Sequence, residues 1–274
     1  MTAEAQYARI NAVRKINTRA SDGRVHFSDL KEMAKSPAHY LYSVNAPETE
    51  PTPAMRLGAL VDALVFPGTH DYVVWEGSEK RKAEGKPPLR AGNEWETFKK
   101  RYAAFEIYDL DELETAKNIA DALSRDRAAS DYLTGEPQVA LEWDAFGLPF
   151  VTRGVDVVGW NLISDLKVTN STEPRRFARH ARERLWPQQI TLYQTAKLEW
   201  ADYELAIVGV EATPPHCCTV LVLTPAMIER ARKSLVLWTD RLRACEVSDH
   251  FPGYTEVPVP CDVDEWEKGD DDEL

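Results

Sequence analysis

Apolar and polar residues follow a helical spacing in the first half of the chain. Up to residue 135 the apolar positions recur every three to four residues, as expected for amphipathic helices. We expect a helix over FSDLKEMAKSPAHYLYSV (27–44), which begins with Ser28 as N-cap and breaks near Pro37. Further helices are predicted in MRLGALVDALVFPG and at two places within 93–133, whereas residues 69–92 are expected to be polar and mobile around one short strand, DYVVWE.

The pattern changes at residue 136 to short apolar segments separated by turn residues. Three strands joined by tight turns at Gly147 and Gly159 are predicted over PQVALEWDAF, LPFVTRGVDVVG and WNLISDLKVT. A helical stretch (174–200), two more strands and a last helix beginning at Pro225 follow. This order of elements predicts one α/β domain with a mixed sheet. It consists of helices, a three-strand meander, a helix, strands and a final helix.

The predicted domain boundaries follow from this order of elements. We expect a single domain over 1–261, with an N-terminal helical part (1–135) and a core (136–245). The acidic segment 262–274 is predicted to be a disordered tail.

Charge and composition narrow the class of protein. The net charge of −12 argues against a general nucleic-acid coat protein, although basic residues gather in 78–90 and 173–185. Four cysteines, two of them adjacent, form neither a disulfide framework nor a zinc spacing. Without a long apolar run or a secretory signal, the sequence predicts a soluble cytoplasmic protein with reduced thiols.

Asp165 and Lys167 are the first candidates for chemistry. They lie two residues apart in a predicted strand, so both side chains point to one face of the sheet. Asp156 ends the preceding strand and can approach Asp165 on that face. Two close carboxylates require a cation or a proton between them, and Mg²⁺ prefers such oxygen ligands. The motif Asp-x-Lys by itself is better explained as a surface ion pair.

The order of motifs resembles the PD-(D/E)xK nuclease superfamily. RGVD (153–156) and DLK (165–167) correspond to its two acidic elements, and a following helix carries Gln189 and Tyr193. A likeness to RecE-type, lambda-exonuclease-like phage recombination exonucleases is found in three further segments, SPAHYLYSV, PTPAMRLGALVDALVFPG and GVEATPPHCCTVLVL. This likeness covers roughly 27–245.

The resemblance implies a restriction-endonuclease-like fold, with a mixed sheet flanked by helices and extra N-terminal helices. It implies a Mg²⁺-dependent exonuclease, with Mn²⁺ as an alternative ion, that digests linear double-stranded DNA from its ends, 5′ to 3′, and leaves 3′ overhangs for recombination. The expected partners are other copies in a trimeric or tetrameric ring and a single-strand annealing protein, in a bacterial cytoplasm and encoded by a phage or prophage. No membrane is implied.

The resemblance also implies the roles of individual residues. Asp156, Asp165, Lys167, Gln189 and Tyr193 would be catalytic. One or two metal ions would be held by Asp156, Asp165 and the main-chain carbonyl of Leu166.

Asp62 departs from the family pattern. Many RecE- and RecB-like nucleases carry a metal-binding histidine in a helical G-x-x-x-H motif, whereas here GALVD places Asp62 after Gly58. The helical neighbours of Asp62 are apolar, and an unpaired buried carboxylate is costly. We expect Asp62 to replace the histidine as a metal ligand; an exposed acid at a bend is the alternative.

Other polar residues carry weaker hypotheses. Glu142 is expected to be an ordinary strand residue, and His216, Cys217 and Cys218 are expected to be strand residues that are not zinc ligands. The basic run of Arg182 and Arg184 with its neighbours, and the loop containing Lys80 and Lys82, could equally be solvated surfaces. Candidate DNA contacts are His39, Arg81, Arg90, Arg153, Arg175, Arg176 and Arg179.

Three other functions stay open at this point. A RecB-like single-strand exonuclease would use the same residues, although the sequence lacks the four-cysteine cluster of the iron–sulfur type. A catalytically inactive DNA-end-binding scaffold would keep the fold, and the Asp62 departure is its best support. An acidic interaction protein would bind no divalent metal.

Overall fold

The computed structural model describes residues 17–47, 49–68, 71–255 and 257–259. The predicted acidic tail lies outside the described residues. The helices, with a 3-10 turn at each of Lys31–Ala34 and Leu198–Trp200, are α1 Phe27–Leu30, α2 Pro37–Asn45, α3 Pro53–Val65, α4 Glu79–Ala83, α5 Asn93–Arg101, α6 Leu110–Arg125, α7 Arg127–Tyr132, α8 Pro174–Glu183, α9 Trp186–Gln194 and α10 Pro225–Ser248. The strands are β1 Tyr72–Trp75, β2 Glu106–Asp109, β3 Glu136–Ala145, β4 Leu148–Gly159, β5 Leu162–Thr169, β6 Glu204–Glu211 and β7 Cys218–Val222.

The chain divides into two compact units, 47–236 and a smaller one formed by residues from 1–46 and 237–274. In the described part of the smaller unit, the Arg19 side chain donates two hydrogen bonds to Glu246, at 2.8 and 2.9 Å. The buried Tyr40 hydroxyl donates to the Thr18 carbonyl at 2.9 Å. These bonds join segments that are far apart in sequence.

The larger unit contains a five-stranded sheet of order β3-β4-β5-β6-β7. Strands β5 and β6 pair in parallel, and the other neighbours are antiparallel. A separate parallel pair is formed by β1 and β2. The predicted α/β class with a mixed central sheet is therefore confirmed.

Two tight turns build the meander. Phe146 and Gly147 both have positive φ (50° and 73°) between β3 and β4, the combination required by the turns that suit a two-residue hairpin loop. Trp160 and Asn161 form the next loop, between Gly159 and its strand partner Leu162, with Asn161 at φ 51°. The predicted turns are confirmed at both places.

Helices cover both faces of the sheet. Leu166 and Val208 point to one face, where they join a core with Leu60 of α3 and Ile119 of α6. By strand alternation, Asp165 and Lys167 point to the opposite face. There Phe177 of α8 packs directly on Gly209 of β6, the strand partner of Lys167.

The N-terminal helix boundaries differ from the prediction. The first helix is a single turn without a side-chain cap, and Ser28 lies inside it. The longer helix begins at Pro37, and the Ser36 side chain accepts its capping hydrogen bond. Proline has no N–H to lose in a first turn, so Pro37 starts a helix here and does not break one.

Two further expectations about the helical half are wrong. Residues 69–92 include helix α4, which is capped by Ser78. Two helices are expected within 93–133, but the second is divided into α6 and α7, because Asp126 is extended and its side chain caps α7. The apolar spacing continues across Asp126, so the pattern alone does not indicate that one helix ends and another begins there.

Gly209 is required by the close approach of Phe177. A methyl group at this position would lie 2.3 Å from the Phe177 ring. We expect Gly209→Ala to lower the free energy of unfolding by about 1–3 kcal/mol, measured by urea denaturation. Gly58→Ala is the matched control, since its helical Cβ would meet open space and should be neutral or stabilising. Equal stability of Gly209→Ala and the wild type would contradict this packing.

No helix in the described part of the chain is both long and apolar enough to cross a bilayer.

Candidate active site

Asp156 and Asp165 occupy opposite positions on adjacent antiparallel strands. The β4–β5 ladder runs from Gly159 and Leu162 to Val157 and Ser164. The next pair in this register is Asp156 and Asp165, so both side chains point to the same face. The backbone pairing of β4 with β5 stops before them, which leaves backbone groups on this side of β5 available to side chains.

Asp156 fills the position where the ladder stops. Its Oδ2 accepts a hydrogen bond from the main-chain N–H of Leu166 at 2.8 Å, and its Oδ1 accepts one from Gln138 at 3.1 Å. Because the N–H and C=O of a strand residue point to the same side, we expect the Leu166 carbonyl to face this side too. The carboxylate is thereby fixed beside β5.

Asp165 is buried and paired with Lys167. The residue is 3% exposed, and Lys167 Nζ lies 2.5 Å from its Oδ2. That approach falls outside hydrogen-bond geometry, so Oδ2 is a buried oxygen without a well-directed donor. Buried carboxylate oxygens usually have such donors. The atom is therefore a candidate for binding something other than the protein.

The described structure brings Asp62 to the same cluster. Asp62 is half-buried in α3, and its charge interacts with Asp165, Asp156 and Lys167. Helix α3 is positioned by Leu60 and Val61, which are fully buried in the core beneath β5. Asp62 thus lies near enough for its charge to act on the other two acids, and its role as a metal ligand stays a prediction.

The three carboxyl groups have raised pKa values. Burial raises the pKa of Asp62 to about 7 and that of Asp165 to about 6, and the neighbouring acids add to both shifts while Lys167 opposes them. Burial likewise raises the pKa of Asp156. For Lys167 burial acts in the opposite direction, but the charges of Asp165 and Asp156 outweigh it and raise the pKa. The neighbouring acids thus favour the charged form of the lysine.

Gln189 and Tyr193 lie beside this cluster. Gln189 donates a hydrogen bond of 2.8 Å to the Tyr193 hydroxyl, which is consistent with their spacing of one turn in α9. The buried Tyr193 interacts with Asp165, Lys167 and Thr152. Trp186, at the start of the same helix, places its ring 5.9 Å from Lys167 Nζ. Sequence reasoning identified the glutamine and the tyrosine but missed Thr152 and Trp186.

The residues present fit a hard divalent cation in their chemistry. All the candidate ligands are oxygen atoms, the three carboxylates repel one another, and the buried Asp165 Oδ2 has the Lys167 ammonium beside it but no well-directed donor. Within the described residues, however, no three His, Cys, Asp or Glu side chains are already arranged around one metal position. The Lys167 ammonium instead supplies the positive charge next to Asp165.

Gln138 is a positioning residue that sequence reasoning missed. It lies opposite Asp156, between the paired residues Pro137 and Val139, and it has a positive φ of 50°. A Cβ on Gly154 would lie 2.3 Å from the Gln138 side-chain oxygen, so this glycine makes room for it. A glycine inside a strand often marks such an approach, but it does not say which residue approaches.

We expect Gln138→Asn to lower any phosphodiesterase activity of this site about tenfold, because the shorter amide cannot reach Asp156. Asparagine tolerates the left-handed backbone, so the fold should be kept. Gln138 also lowers the pKa of Asp156. The acidic limb of the pH–rate profile should therefore move to higher pH in the variant. A lower rate with an unmoved acidic limb would show that Gln138 only stabilises the fold.

The raised pKa values predict that the metal-free protein loses stability as pH rises. The folded protein holds protons on Asp62 and Asp165 up to pH of about 7 and about 6, above the ordinary value of 3.8. The unfolded chain releases these protons earlier, so the free energy of unfolding falls from pH about 4 to about 7 and then levels off. Urea denaturation in EDTA measures this slope, and Asp62→Asn should make it shallower. An unchanged slope would contradict the assignment.

The candidate DNA contacts are divided between the two units. His39 belongs to the smaller unit, where its ring contacts Ser36 at 2.7 Å and packs 5.2 Å from Tyr254. Arg81 donates to the Pro87 carbonyl, and Arg90 pairs with Asp109 and Glu112. These side chains have local partners, so their contact with DNA stays a prediction.

The arginines of β4 and of the region around α8 are exposed. Arg153 is exposed on β4, and five arginines lie on or just after α8. In the described part of the chain none of these six forms a salt bridge; they are Arg153, Arg175, Arg176, Arg179, Arg182 and Arg184. Exposed arginines without salt bridges suit contact with a phosphate backbone.

The remaining candidates lie outside the cluster. Glu142 is an exposed residue of β3, as predicted. His216 and Cys217 are in the loop before β7, so the expectation that they are strand residues is wrong; only Cys218 is in the strand. His216 contacts the Glu211 carbonyl through Nδ1. Cys217, Cys218 and Cys245 are free thiols.

Comparison with known families agrees with this geometry. Residues 26–263 match the family described as a PDDEXK-like domain of unknown function, DUF3799. The chain belongs to this family. As a PDDEXK-like domain it is a member of the PD-(D/E)xK superfamily, as predicted, whereas the RecE-type subfamily stays a prediction.

A solved structure supports the same fold. The PDDEXK-like chain is similar to the crystal structure of a putative exonuclease from Eubacterium rectale, with a TM-score of 0.58 and 15% sequence identity over 98% of each chain. At this identity the likeness concerns the fold alone. No curated protein sequence matches the chain.

Proposed function

We propose that the protein is a divalent-metal-dependent nuclease that digests linear double-stranded DNA from its ends. The observation that carries the proposal is the buried Asp165 Oδ2, which lacks a well-directed donor beside two further acids and one lysine. On a PDDEXK-like fold this combination suits phosphodiester hydrolysis. Asp62, Asp156, Asp165 and the Leu166 carbonyl would hold the metal.

A bound Mg²⁺ or Mn²⁺ supplies Lewis-acid activation of water and of the phosphate. The protein residues have separate tasks. Lys167 carries a fixed positive charge that can hold the attacking water and offset the negative charge developing on the phosphoryl oxygens. Tyr193 and Trp186 lie beside the Lys167 side chain, and Gln138 donates a hydrogen bond to Asp156.

The position of the exposed arginines supports a nucleic-acid substrate. Arg175, Arg176 and Arg179 lie on α8, which begins after β5, and their exposed side chains form no salt bridge within the described ranges. Two arginines in the first turn of a helix are unfavourable for its dipole, which the Glu173 side chain offsets by capping the Arg175 and Arg176 N–H groups. Such a row of cations would be stabilised by phosphates.

The finer proposals rest on the sequence resemblance to RecE-type exonucleases. They are digestion from 5′ to 3′, production of 3′ overhangs for recombination by strand annealing, a ring of three or four copies, and a single-strand annealing partner. They also include phage or prophage origin and action in the bacterial cytoplasm.

The proposed function is tested with one duplex in three forms: linear, nicked circular and covalently closed. We expect the wild type to degrade only the linear form in Mg²⁺ and to degrade nothing in EDTA. Equal cutting of closed circles would overturn digestion from ends, and an absence of cutting with Mg²⁺ or Mn²⁺ would overturn the nuclease proposal. Comparing linear substrates with 5′-phosphate and 5′-hydroxyl ends then tests the polarity.

A further inference from the structure

A cluster of aromatic rings lies on the part of the larger unit between β1 and β2. We call it the aromatic–basic surface, and its residues are Trp75, Lys80, Trp95, Phe98, Lys100, Arg101, Tyr102 and Phe105. Neighbouring rings contact one another at centroid distances from 4.6 to 6.4 Å. This feature has no role in the acidic cluster.

The rings do not form an ordinary core. Trp75 is buried, but no residue of α5 is buried, although Trp95 and Phe98 lie on this helix and Tyr102 caps its end. Phe105 is 40% exposed. Half-exposed aromatic side chains that are grouped on one surface are typical of a binding site.

A cavity of about 570 Å³ opens beside these rings, a volume within the range of binding pockets for small organic groups. Its apolar wall contains Trp75, Phe98 and Tyr102. Polar and charged groups complete it, namely Asn93, Thr97, Glu76, Glu79, Glu94, Lys82 and Arg101. An aromatic wall with amide, hydroxyl and carboxylate groups beside it suits the face and the hydrogen-bonding edge of a nucleobase.

The charges around the rings differ from those of the whole chain. Residues 76–101 contain eight basic and five acidic side chains, whereas the net charge of the chain is −12. Lys82 and Lys99 pair with glutamates. Lys80 and Lys100 have no acid partner in the described part of the chain, and Arg101 lies 5.3 Å from the Tyr102 ring. Cations beside exposed rings combine phosphate binding with base stacking.

The same part of the molecule is attached to the helix that carries Asp62. Arg56 of α3 donates a hydrogen bond of 2.6 Å to the Ile107 carbonyl of β2 and lies 4.7 Å from the Tyr108 ring. Tyr108 is buried in the core cluster with Leu60 and Phe66. A strand held on this surface would therefore be connected to α3 through packed residues.

We propose that the aromatic–basic surface binds an unpaired nucleic-acid strand by stacking bases on its rings and holding phosphates with Lys80, Lys100 and Arg101. Bases in a duplex already stack on one another, so only an unpaired strand presents its faces to the rings. This inference rests on the proposed nuclease function, because it gives the nuclease a second site for a single-stranded part of its substrate.

The test is binding of a fluorescein-labelled oligothymidine of twelve nucleotides in EDTA, followed by fluorescence anisotropy. We expect Trp95→Ala and Lys100→Glu each to weaken binding about tenfold and Trp95→Phe to keep most of it. Trp160→Ala and Lys117→Glu are the matched controls, since Trp160 is 91% exposed at the β4–β5 turn and Lys117 is exposed on α6. Both controls should bind as the wild type does.

Wild-type affinity in Trp95→Ala and Lys100→Glu would overturn the inference. A second outcome would also overturn it: the two variants bind the oligonucleotide as the wild type does but elute at a different mass in size-exclusion chromatography. The surface would then be an interface between copies of the chain. Lys100 is exposed, so its reversal should leave the circular-dichroism spectrum unchanged. Binding is measured without hydrolysis, so a protein that binds the oligonucleotide through these rings but cuts no DNA would refute the nuclease proposal alone.

Discussion

Replacing Lys167 with alanine is expected to lower the rate of DNA hydrolysis by roughly a hundred- to a thousandfold. Lys167 is the charged group closest to Asp165, and its charge is fixed by Asp165 and Asp156. Without it, no described cation replaces the charge that offsets the developing negative charge on the phosphate. Divalent-cation binding should nevertheless become stronger, because the ammonium no longer competes for Asp165.

The opposite direction of these two effects makes the prediction specific. Single-turnover hydrolysis measures the rate, and calorimetric titration of Mg²⁺ measures the affinity. Lys117→Ala changes an exposed lysine of α6 and should alter neither. Loss of both hydrolysis and cation binding in Lys167→Ala would mean that the lysine mainly supports the fold. A rate within threefold of the wild type would remove it from the mechanism.

Replacing Asp165 with asparagine should abolish the stabilisation of the protein by Mg²⁺ and lower hydrolysis at least a hundredfold. Asp165 is the most deeply buried of the three acids, and its Oδ2 lacks a directed donor. An asparagine keeps the volume but removes the negative charge that a hard cation requires. In EDTA at pH 8 the same change should raise the free energy of unfolding, because burying the charged carboxylate is unfavourable.

The loss of stabilisation by Mg²⁺ is measured as the midpoint of thermal unfolding in a series of tenfold Mg²⁺ dilutions. The wild-type midpoint should rise with the logarithm of the Mg²⁺ concentration once the ion exceeds its dissociation constant. Asp144→Asn is the matched control, because Asp144 is an exposed acid of β3. The same Mg²⁺-dependent rise in Asp165→Asn as in the wild type would place the cation elsewhere.

The part of the site that lies in the meander could be predicted from the sequence. Alternation over β4 and β5 fixes the face on which Asp165 and Lys167 lie, and the short turn before Leu162 sets Asp156 opposite Asp165. The one-turn spacing of Gln189 and Tyr193 likewise gives their contact in α9. These contacts depend on local periodicity, which the sequence contains.

The contacts that depend on packing between elements are harder to predict. Asp62 was identified because its helix offers no polar stripe, but its distance to β5 depends on how Leu60 packs in the core. The sequence did not indicate a role for Gln138, because its positive φ and its contact with Asp156 arise only when β3 lies beside β4. The aromatic–basic surface was likewise missed, because its rings come from β1, from α5 and from the residues after that helix.

Anomalous diffraction from crystals grown with Mn²⁺ tests the central claim most directly. The account predicts an anomalous peak between Asp156 and Asp165, with Asp62 on its other side and carboxylate oxygens at about 2.1 Å. Lys167 Nζ should then have moved away from Asp165 Oδ2. A well-ordered acidic cluster without a peak, or a peak only at other acidic residues, would contradict a metal-dependent active site on this face of the sheet.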